Sequence, residues 1–262
     1  MDRLIVTTAG RPSEGSINEA KNVASELDCR YVVRNKRSIG AMITTYHAAV
    51  LVVAKDKLLL QAYANSPPFF FHPNAAMIRA KHWIKAKEDP LVQACKIKQG
   101  DSFFDATLGL GSDAIVASLA TGINGSVFGA EYSKVISYIV KTGLKGYESG
   151  NSEVNQAMRR ISVIHDSHVT ILQSMEDKSV DIVYFDPLFE EVVEGSHGFD
   201  SMRPYTVRLP ITDETITEAK RVAKKRVVLK DHFRSKRFMK LGFKVQVRPS
   251  ATFHYGTIEL EE

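Results

Sequence analysis

Asp186-Pro187-Leu188-Phe189 follows directly on the apolar run Ile182-Val183-Tyr184-Phe185. An acidic residue, a rigid proline and an aromatic ring are thereby set at the end of a buried strand. In open α/β sheets the ligand crevice lies beyond the carboxyl ends of the strands. A carboxylate or backbone carbonyl there, beside a flat ring, suits a substrate with an amino group on a π-system. Asp186 as acceptor for the amine and Phe189 as stacking surface are the candidate catalytic pair, with Pro187 and Leu188 touching the same substrate. Taken alone, the four residues read equally well as a strand ending in a proline turn, so the rest of the chain decides.

A second cluster lies upstream. Phe103-Phe104-Asp105-Ala106-Thr107-Leu108-Gly109-Leu110-Gly111-Ser112-Asp113-Ala114 reads as a strand, a glycine turn and a helix start. Gly109 and Gly111 allow a tight turn and a close approach of backbone to ligand. With Glu131 at the end of the following strand, the spacing also fits a dinucleotide fingerprint. Asp105 separates the two readings, because it puts a carboxylate where a pyrophosphate would lie. A cationic sulfonium with an amino-acid tail, as in S-adenosylmethionine, is favoured there instead. Glu131 then serves ribose hydroxyls, and Asp166, with the Ser167 N–H beside it, serves an adenine amine. His72, a hydrogen-bonding residue in an aromatic linker, and Arg79, a phosphate-holding cation, complete the candidate substrate contacts.

The elements that must position these groups follow from pattern. Residues 4–8 read as a strand, 16–27 as a helix capped by Ser16 with Glu19, and 29–33, 49–54 and 58–63 as further strands. They make a small α+β domain over 1–72. Ser66-Pro67-Pro68-Phe69-Phe70-Phe71-His72-Pro73 reads as a linker that packs aromatic rings, and Asn74 as the cap of a helix over 75–87. From Ser102 the chain alternates strands (102–106, 126–131, 161–165, 181–185, 225–230) with helices (112–121, 133–145, 151–160, 168–176, 212–224). That is the pattern of a Rossmann-like, doubly wound α/β sheet. Two more strands, 244–248 and 252–260, raise the total to seven and end in a hairpin, which adds an antiparallel strand to the sheet of a second domain, 73–262.

Charge is uneven along the 262 residues: 11 Lys+Arg against 6 Asp+Glu in 1–82, 10 against 16 in 83–199, and 14 against 8 in 200–262. Basic ends around an acidic middle suit a polyanionic substrate. The candidate cations are Arg11, Arg34, Lys36, Arg37, Arg79, Lys81, Arg203, Arg208 and Lys224-Lys225-Arg226, the last three also reading as a helix C-terminus that meets its dipole. No apolar run reaches the roughly 20 residues of a membrane span, and the first ten residues do not read as a signal peptide. Cys29 and Cys95 are in no metal or redox spacing. The expectation is a cytoplasmic protein without a metal site. Gly195-Ser196-His197-Gly198-Phe199 reads as a loop that closes over substrate.

Asp105, Gly109, Gly111, Glu131, Asp166 and the 186–189 tetrad, taken in order, resemble a class I S-adenosylmethionine-dependent methyltransferase. Val6-Thr7-Thr8-Ala9-Gly10-Arg11-Pro12, Phe70-Phe71-His72-Pro73 and Asp89-Pro90-Leu91-Val92 narrow the resemblance to the small-subunit ribosomal RNA guanine-N2 methyltransferases and their relatives. The resemblance implies cofactor contacts from Ser112 and Asp113, from Glu131 with Tyr132, from Asp166 with Ser167, and near Asp186. It implies ribosomal RNA or the small ribosomal subunit as partner. Leu188 and Glu190 depart from the family pattern, which often has Met and Pro there. Rival readings are methyl transfer to another planar amine, of DNA adenine or protein glutamine, an NAD-dependent oxidoreductase, and a catalytically silent RNA-binding assembly factor.

Overall fold

The computed structural model describes residues 3–187, 205, 207 and 209–260. Residues up to His72, with Lys134–Ile139, form one compact unit; Pro73–Ser133 and most of the later chain form the other.

The first unit opens with β1 (Leu4–Thr8), whose five residues are buried or nearly so. Helix α1 (Glu14–Glu26) starts earlier than the sequence pattern indicates. Ser13, not Ser16, is the cap: Ser16 lies at the third helical position, and its N–H donates to Ser13 Oγ at 3.2 Å. After β2 (Arg30–Tyr31) comes α2 (Ile39–Tyr46), a helix that sequence reasoning missed. The unit closes with β3 (Ala49–Val53) and β4 (Leu58–Gln61). The sheet order is β2-β1-β3-β4, with β1 parallel to both β2 and β3 and only β4 antiparallel. Phe69 bridges to Leu60 with antiparallel sense, which continues the sheet into the proline-rich segment.

In the second unit α3 (Asn74–Ala86) has no side-chain cap; Asn74 is its first residue rather than its cap. Helix α4 (Pro90–Cys95) was also missed, although Asp89 caps it and proline stands at its first position. The remaining elements are β5 (Ser102–Asp105), α5 (Ser112–Thr121), β6 (Ser126–Ala130), α6 (Lys134–Gly146), whose first part, Lys134–Ile139, is counted with the first unit, α7 (Ser152–Arg160), β7 (Ile161–Ile164), α8 (His168–Ser174), β8 (Val180–Phe185), α9 (Asp213–Val222), β9 (Ala223–His232), α10 (Arg237–Lys240), β10 (Lys244–Gln246) and β11 (Phe253–Glu259). They build a seven-stranded sheet in the order β10-β11-β9-β8-β5-β6-β7. β11 runs antiparallel to β9, while β9, β8, β5, β6 and β7 are parallel. The α/β class and the antiparallel terminal strand are as the patterning indicates.

Strand β8 explains the sheet. Five of its six residues are buried, on both faces, as a central parallel strand requires. On one face Val183 and Phe185 pack with Val227, Leu229, Ile216 and Val222. Each large apolar side chain removed from water contributes about 1.5–3 kcal/mol. One reading of the sequence is overturned here: Lys224, Lys225 and Arg226 do not end a helix, because α9 stops at Val222 and β9 begins at Ala223. Lys225 instead pairs with Asp101 at 2.6 Å and Asp181 at 3.0 Å, and Arg226 with Glu259 at 3.0 Å.

Candidate active site

The sheet order β8-β5-β6-β7 places Asp186, Asp105, Glu131 and Asp166 at four successive strand ends. With strands ~4.8 Å apart, the row is roughly 14 Å long. The glycine loop crosses its middle, clamped from both sides: Ala106 N–H donates to Tyr184 O at 2.8 Å and Leu108 N–H to Ala130 O at 3.0 Å. Leu108 lies directly over Gly129, where a Cβ would meet its Cδ1 at 2.6 Å. Gly109 and Gly111 take φ of 51° and 73°, left-handed conformations that favour glycine.

Asp105 is 2% exposed. Its carboxylate accepts the Thr107 N–H at 3.1 Å, and among the described residues no cation pairs with it. Burial, then the charge of Asp113, pushes its pKa well above the usual carboxylate range. A cationic group placed beside this carboxylate would offset its burial, and a pyrophosphate would add to the repulsion.

Helix α5 begins at Ser112 and carries Asp113 in its first turn. Asp113 is the hub of a buried charge chain. Its carboxylate accepts from Arg79 Nη1, from Tyr184 Oη at 2.8 Å and from Lys230 Nζ at 3.2 Å. Lys230 Nζ also donates to Asp186 Oδ2 at 2.7 Å. Arg79 in turn grips Asp89 with two bonds of 2.8 Å, while Asp89 caps α4 through the Leu91 N–H at 2.9 Å. Charges alternate along Asp89, Arg79, Asp113, Lys230 and Asp186. Burial would raise the pKa of Asp113, but Lys230 and Arg79 outweigh it and hold the carboxylate well below its ordinary value. Asp186 takes the opposite outcome: burial and the Asp113 charge exceed the pull of Lys230, and its pKa is pushed up to about 6. Two carboxylates share one ammonium, which lies nearer Asp186; Asp113 is held lower because Arg79 adds a second cation to it. The Asp186 N–H is fixed separately, donating to Thr107 Oγ1 at 2.6 Å.

Glu131 accepts the Ser133 N–H at 2.8 Å and the Gly109 N–H, while burial pushes its pKa up to about 7. Tyr132 is exposed. Asp166 accepts the N–H of Ser167 at 2.6 Å, so the backbone donor foreseen beside it is bound to Asp166 itself; the Ser167 side chain caps α8. Pro187 is partly exposed. Arg79, foreseen as a phosphate contact, donates from each of its three nitrogens to carboxylates. His72 belongs to the other compact unit, its ring 5.1 Å from that of Phe70. Leu188, Phe189, Glu190, the 195–199 loop, Arg203 and Arg208 lie outside the described residues.

Lys230 was missed by sequence reasoning. The signal was a lysine following the apolar run Val227-Val228-Leu229, legible only once β9 is known to neighbour β8 in a register that pairs Leu229 with Phe185. A cationic and aromatic wall beside it was also missed. Lys230 Nζ stands 5.0 Å from the Phe253 ring centre, and the Arg248 guanidinium 4.4 Å from the same ring and 5.7 Å from that of Tyr255.

A family model described as "Putative SAM-dependent methyltransferase" matches residues 37–245. The uncharacterized protein YpiP of Bacillus subtilis (strain 168) is 44% identical over 255 residues, 97% of this chain and 99% of that one. The ribosomal RNA small subunit methyltransferase J of Legionella pneumophila (strain Paris) is 31% identical over 142 residues, 54% of this chain and 55% of that enzyme. Thus the chain matches about half the length of that relative. The crystal structure of a SAM-dependent methyltransferase from Neisseria gonorrhoeae superposes with a TM-score of 0.64 over 97% of this chain and 95% of the other, at 14% identity, which is a likeness of fold.

Proposed function

The chain belongs to this SAM-dependent methyltransferase family, and from that premise we propose that it methylates the exocyclic N2 amine of a guanine in small-subunit ribosomal RNA. S-adenosylmethionine is the cofactor. The observation that carries the finer reading is the Asp186-Lys230-Asp113 arrangement at the strand end where the acid-Pro-x-aromatic tetrad begins. The name of the Legionella relative supports ribosomal RNA as the substrate class.

The residues present fit the cofactor. Asp105, buried with no cation paired to it among the described residues, suits its positive charge; Gly109 and Gly111 leave room for its approach; Glu131 and Asp166 offer acceptors to its ribose and adenine; Ser112, Asp113, Tyr132 and Ser167 border the same row. When bound it supplies an electrophilic methyl group on a positively charged sulfur, which leaves as a neutral thioether. Guanine N2 is a weak nucleophile because its lone pair is delocalised into the ring. Lys230 holds the Asp186 carboxylate and Thr107 holds the Asp186 N–H, which leaves the Asp186 backbone carbonyl to accept an amine hydrogen and localise the lone pair on nitrogen. As the N–C bond forms and the C–S bond breaks, nitrogen becomes cationic and loses one proton, for which the Asp186 carboxylate, with its raised pKa, is the candidate base. Pro187, Leu188 and Phe189 hold the base flat in line with the methyl carbon, and alignment of this kind lowers the barrier by several kcal/mol, up to ~10. In this reading 73–262 carries the transfer chemistry, 1–72 serves it, and the protein works in the cytoplasm on the small ribosomal subunit.

The test is incubation of the purified protein with isotopically labelled cofactor and either small ribosomal subunits or naked ribosomal RNA, followed by nucleoside digestion and mass spectrometry. N2-methylguanosine is the expected product. Label on another base, or on protein alone, would reject the guanine assignment while leaving the family intact.

A further inference from the structure

The first compact unit has a charged edge that the methyl-transfer site does not use. β1, β2 and β3 are parallel, so the segments that follow them emerge at one edge of the small sheet. They carry Arg11 after β1, Arg34, Lys36 and Arg37 after β2, and Lys55 with Lys57 after β3. Against these six cations stand Asp56 in the β3–β4 turn and Glu14 in the first turn of α1. At the opposite ends of these strands the described charges balance, Arg3 and Arg30 against Glu26 and Asp28. The asymmetry therefore belongs to one edge and not to the unit as a whole.

Two features make this edge more than a solvated rim. The loop after β2 is built rather than loose. Arg34 Nε donates to Arg37 O at 3.0 Å and Arg37 Nε to Arg34 O at 3.3 Å, while Arg37 also donates to Tyr46 Oη at 3.0 Å and Val33 O at 2.9 Å. Asn35 and Lys36 hold left-handed φ of 46° and 60° at its tip, where Lys36 is exposed. No carboxylate among the described residues pairs with any of the six. The second feature is aromatic. The segment after Phe69 runs antiparallel to β4, and so toward the same edge. There Lys57 Nζ stands 4.6 Å from the Phe70 ring centre, and His72 packs on Phe70. Cations on a rigid frame beside a ring pair are the chemistry that holds a single-stranded nucleic acid, through its phosphates and one stacked base.

We propose that this edge of the N-terminal unit is an RNA-backbone binding surface, with Arg11, Lys36, Lys55 and Lys57 contacting phosphates and Phe70 with His72 offering a stacking face. The proposal deepens the ribosomal RNA reading but stands on its own observations, and its test uses binding rather than turnover. Fluorescence anisotropy of a labelled single-stranded RNA is measured with the full chain, for the parent and for a triple variant Arg11→Gln, Lys36→Gln, Lys55→Gln, whose native side chains make no hydrogen bond among the described residues. With ~0.7 released counterions per contact, the slope of log K against log salt should become less negative by roughly 2 and affinity should fall at least tenfold at low salt. Calorimetric binding of S-adenosylhomocysteine should not change. Arg3→Gln with Arg30→Gln at the opposite edge should leave RNA binding as it was. Equal affinity and equal slope in the triple variant would overturn the proposal, as would binding of the parent to anionic phospholipid vesicles but not to RNA. A parent that binds RNA through this edge yet methylates no guanine would keep the proposal and reject the guanine reading.

Discussion

Lys230 reaches two carboxylates with one ammonium, and this division sets how Asp186 titrates. Removing the cation in Lys230→Met raises the Asp186 pKa further, because burial and Asp113 then act unopposed. Activity that needs ionised Asp186 rises with pH through that pKa, so the acidic limb of kcat/KM against pH should move to higher pH. Lys230→Arg should return it most of the way. An unmoved limb with lowered activity would reduce Lys230 to a structural part. Glu131 makes a second prediction of the same sign. Its pKa is pushed up to about 7, so the ionised form, which in the proposed reading accepts ribose hydroxyls, is about one-tenth populated at pH 6 and nine-tenths at pH 8. Affinity for S-adenosylhomocysteine should therefore drop roughly tenfold between pH 8 and pH 6, and Glu131→Gln should bind weakly with a flat profile. Calorimetry at the two pH values decides it. The carboxylates of the row were legible in the sequence because each stands at or within two residues of the end of a strand. Lys230 and Arg79 were not legible as partners, since their roles depend on which strand and which helix lie next to them, and no local pattern records adjacency.

At the scale of elements, Arg79 joins α3 to the cap of α4 and the first turn of α5. Asp89, with a side chain only 2% exposed, has no other cation among the described residues. Arg79→Met would leave it buried and charged, and breaking a buried pair from one side costs about 3–5 kcal/mol. For a chain of this length that is a fall in Tm of roughly 10 °C, read by thermal melting. A change under 2 °C would mean that the pair is balanced by desolvation. The double variant Arg79→Met with Asp89→Leu should recover part of the loss, as it removes the stranded charge but also the cap of α4. These elements also show what sequence patterning can reach. β5 to β9 and the helices between them were legible because long apolar runs alternate with strongly amphipathic stretches. Helix α2 was hidden by Gly40, Ile43, Thr44 and Thr45, which are poor helix formers held by tertiary packing, with Met42 fully buried. Helix α4, at six residues, is too short for periodicity, although Asp89 and Pro90 signalled its start. The basic run 224–226 misled because cations at a helix end and cations on a strand have the same composition; Arg226 is buried against Glu259, a partner 33 residues away.

For the whole molecule, charge is sorted along the chain into roles that salt should separate. The acidic middle supplies the row Asp105, Glu131, Asp166 and Asp186, whose members act at short range in a partly buried site, where screening is weak. The basic residues of 1–82 include an exposed set on one edge of the small sheet, and exposed charges meeting phosphates are screened fully. RNA binding and cofactor binding should then respond differently to the same change of ionic strength. Raising KCl from 50 to 200 mM with about four phosphate contacts, each contributing ~0.7 to the logarithmic slope, should weaken RNA binding roughly 50-fold. Affinity for S-adenosylhomocysteine should change less than twofold across the same range. Because substrate capture enters kcat/KM and not kcat, kcat/KM for RNA should carry the steep dependence while kcat at saturating RNA stays nearly flat. Parallel slopes for RNA and cofactor would mean that the basic edge does not carry the RNA; a flat RNA response would mean that binding rests on base contacts near Asp186 rather than on phosphates.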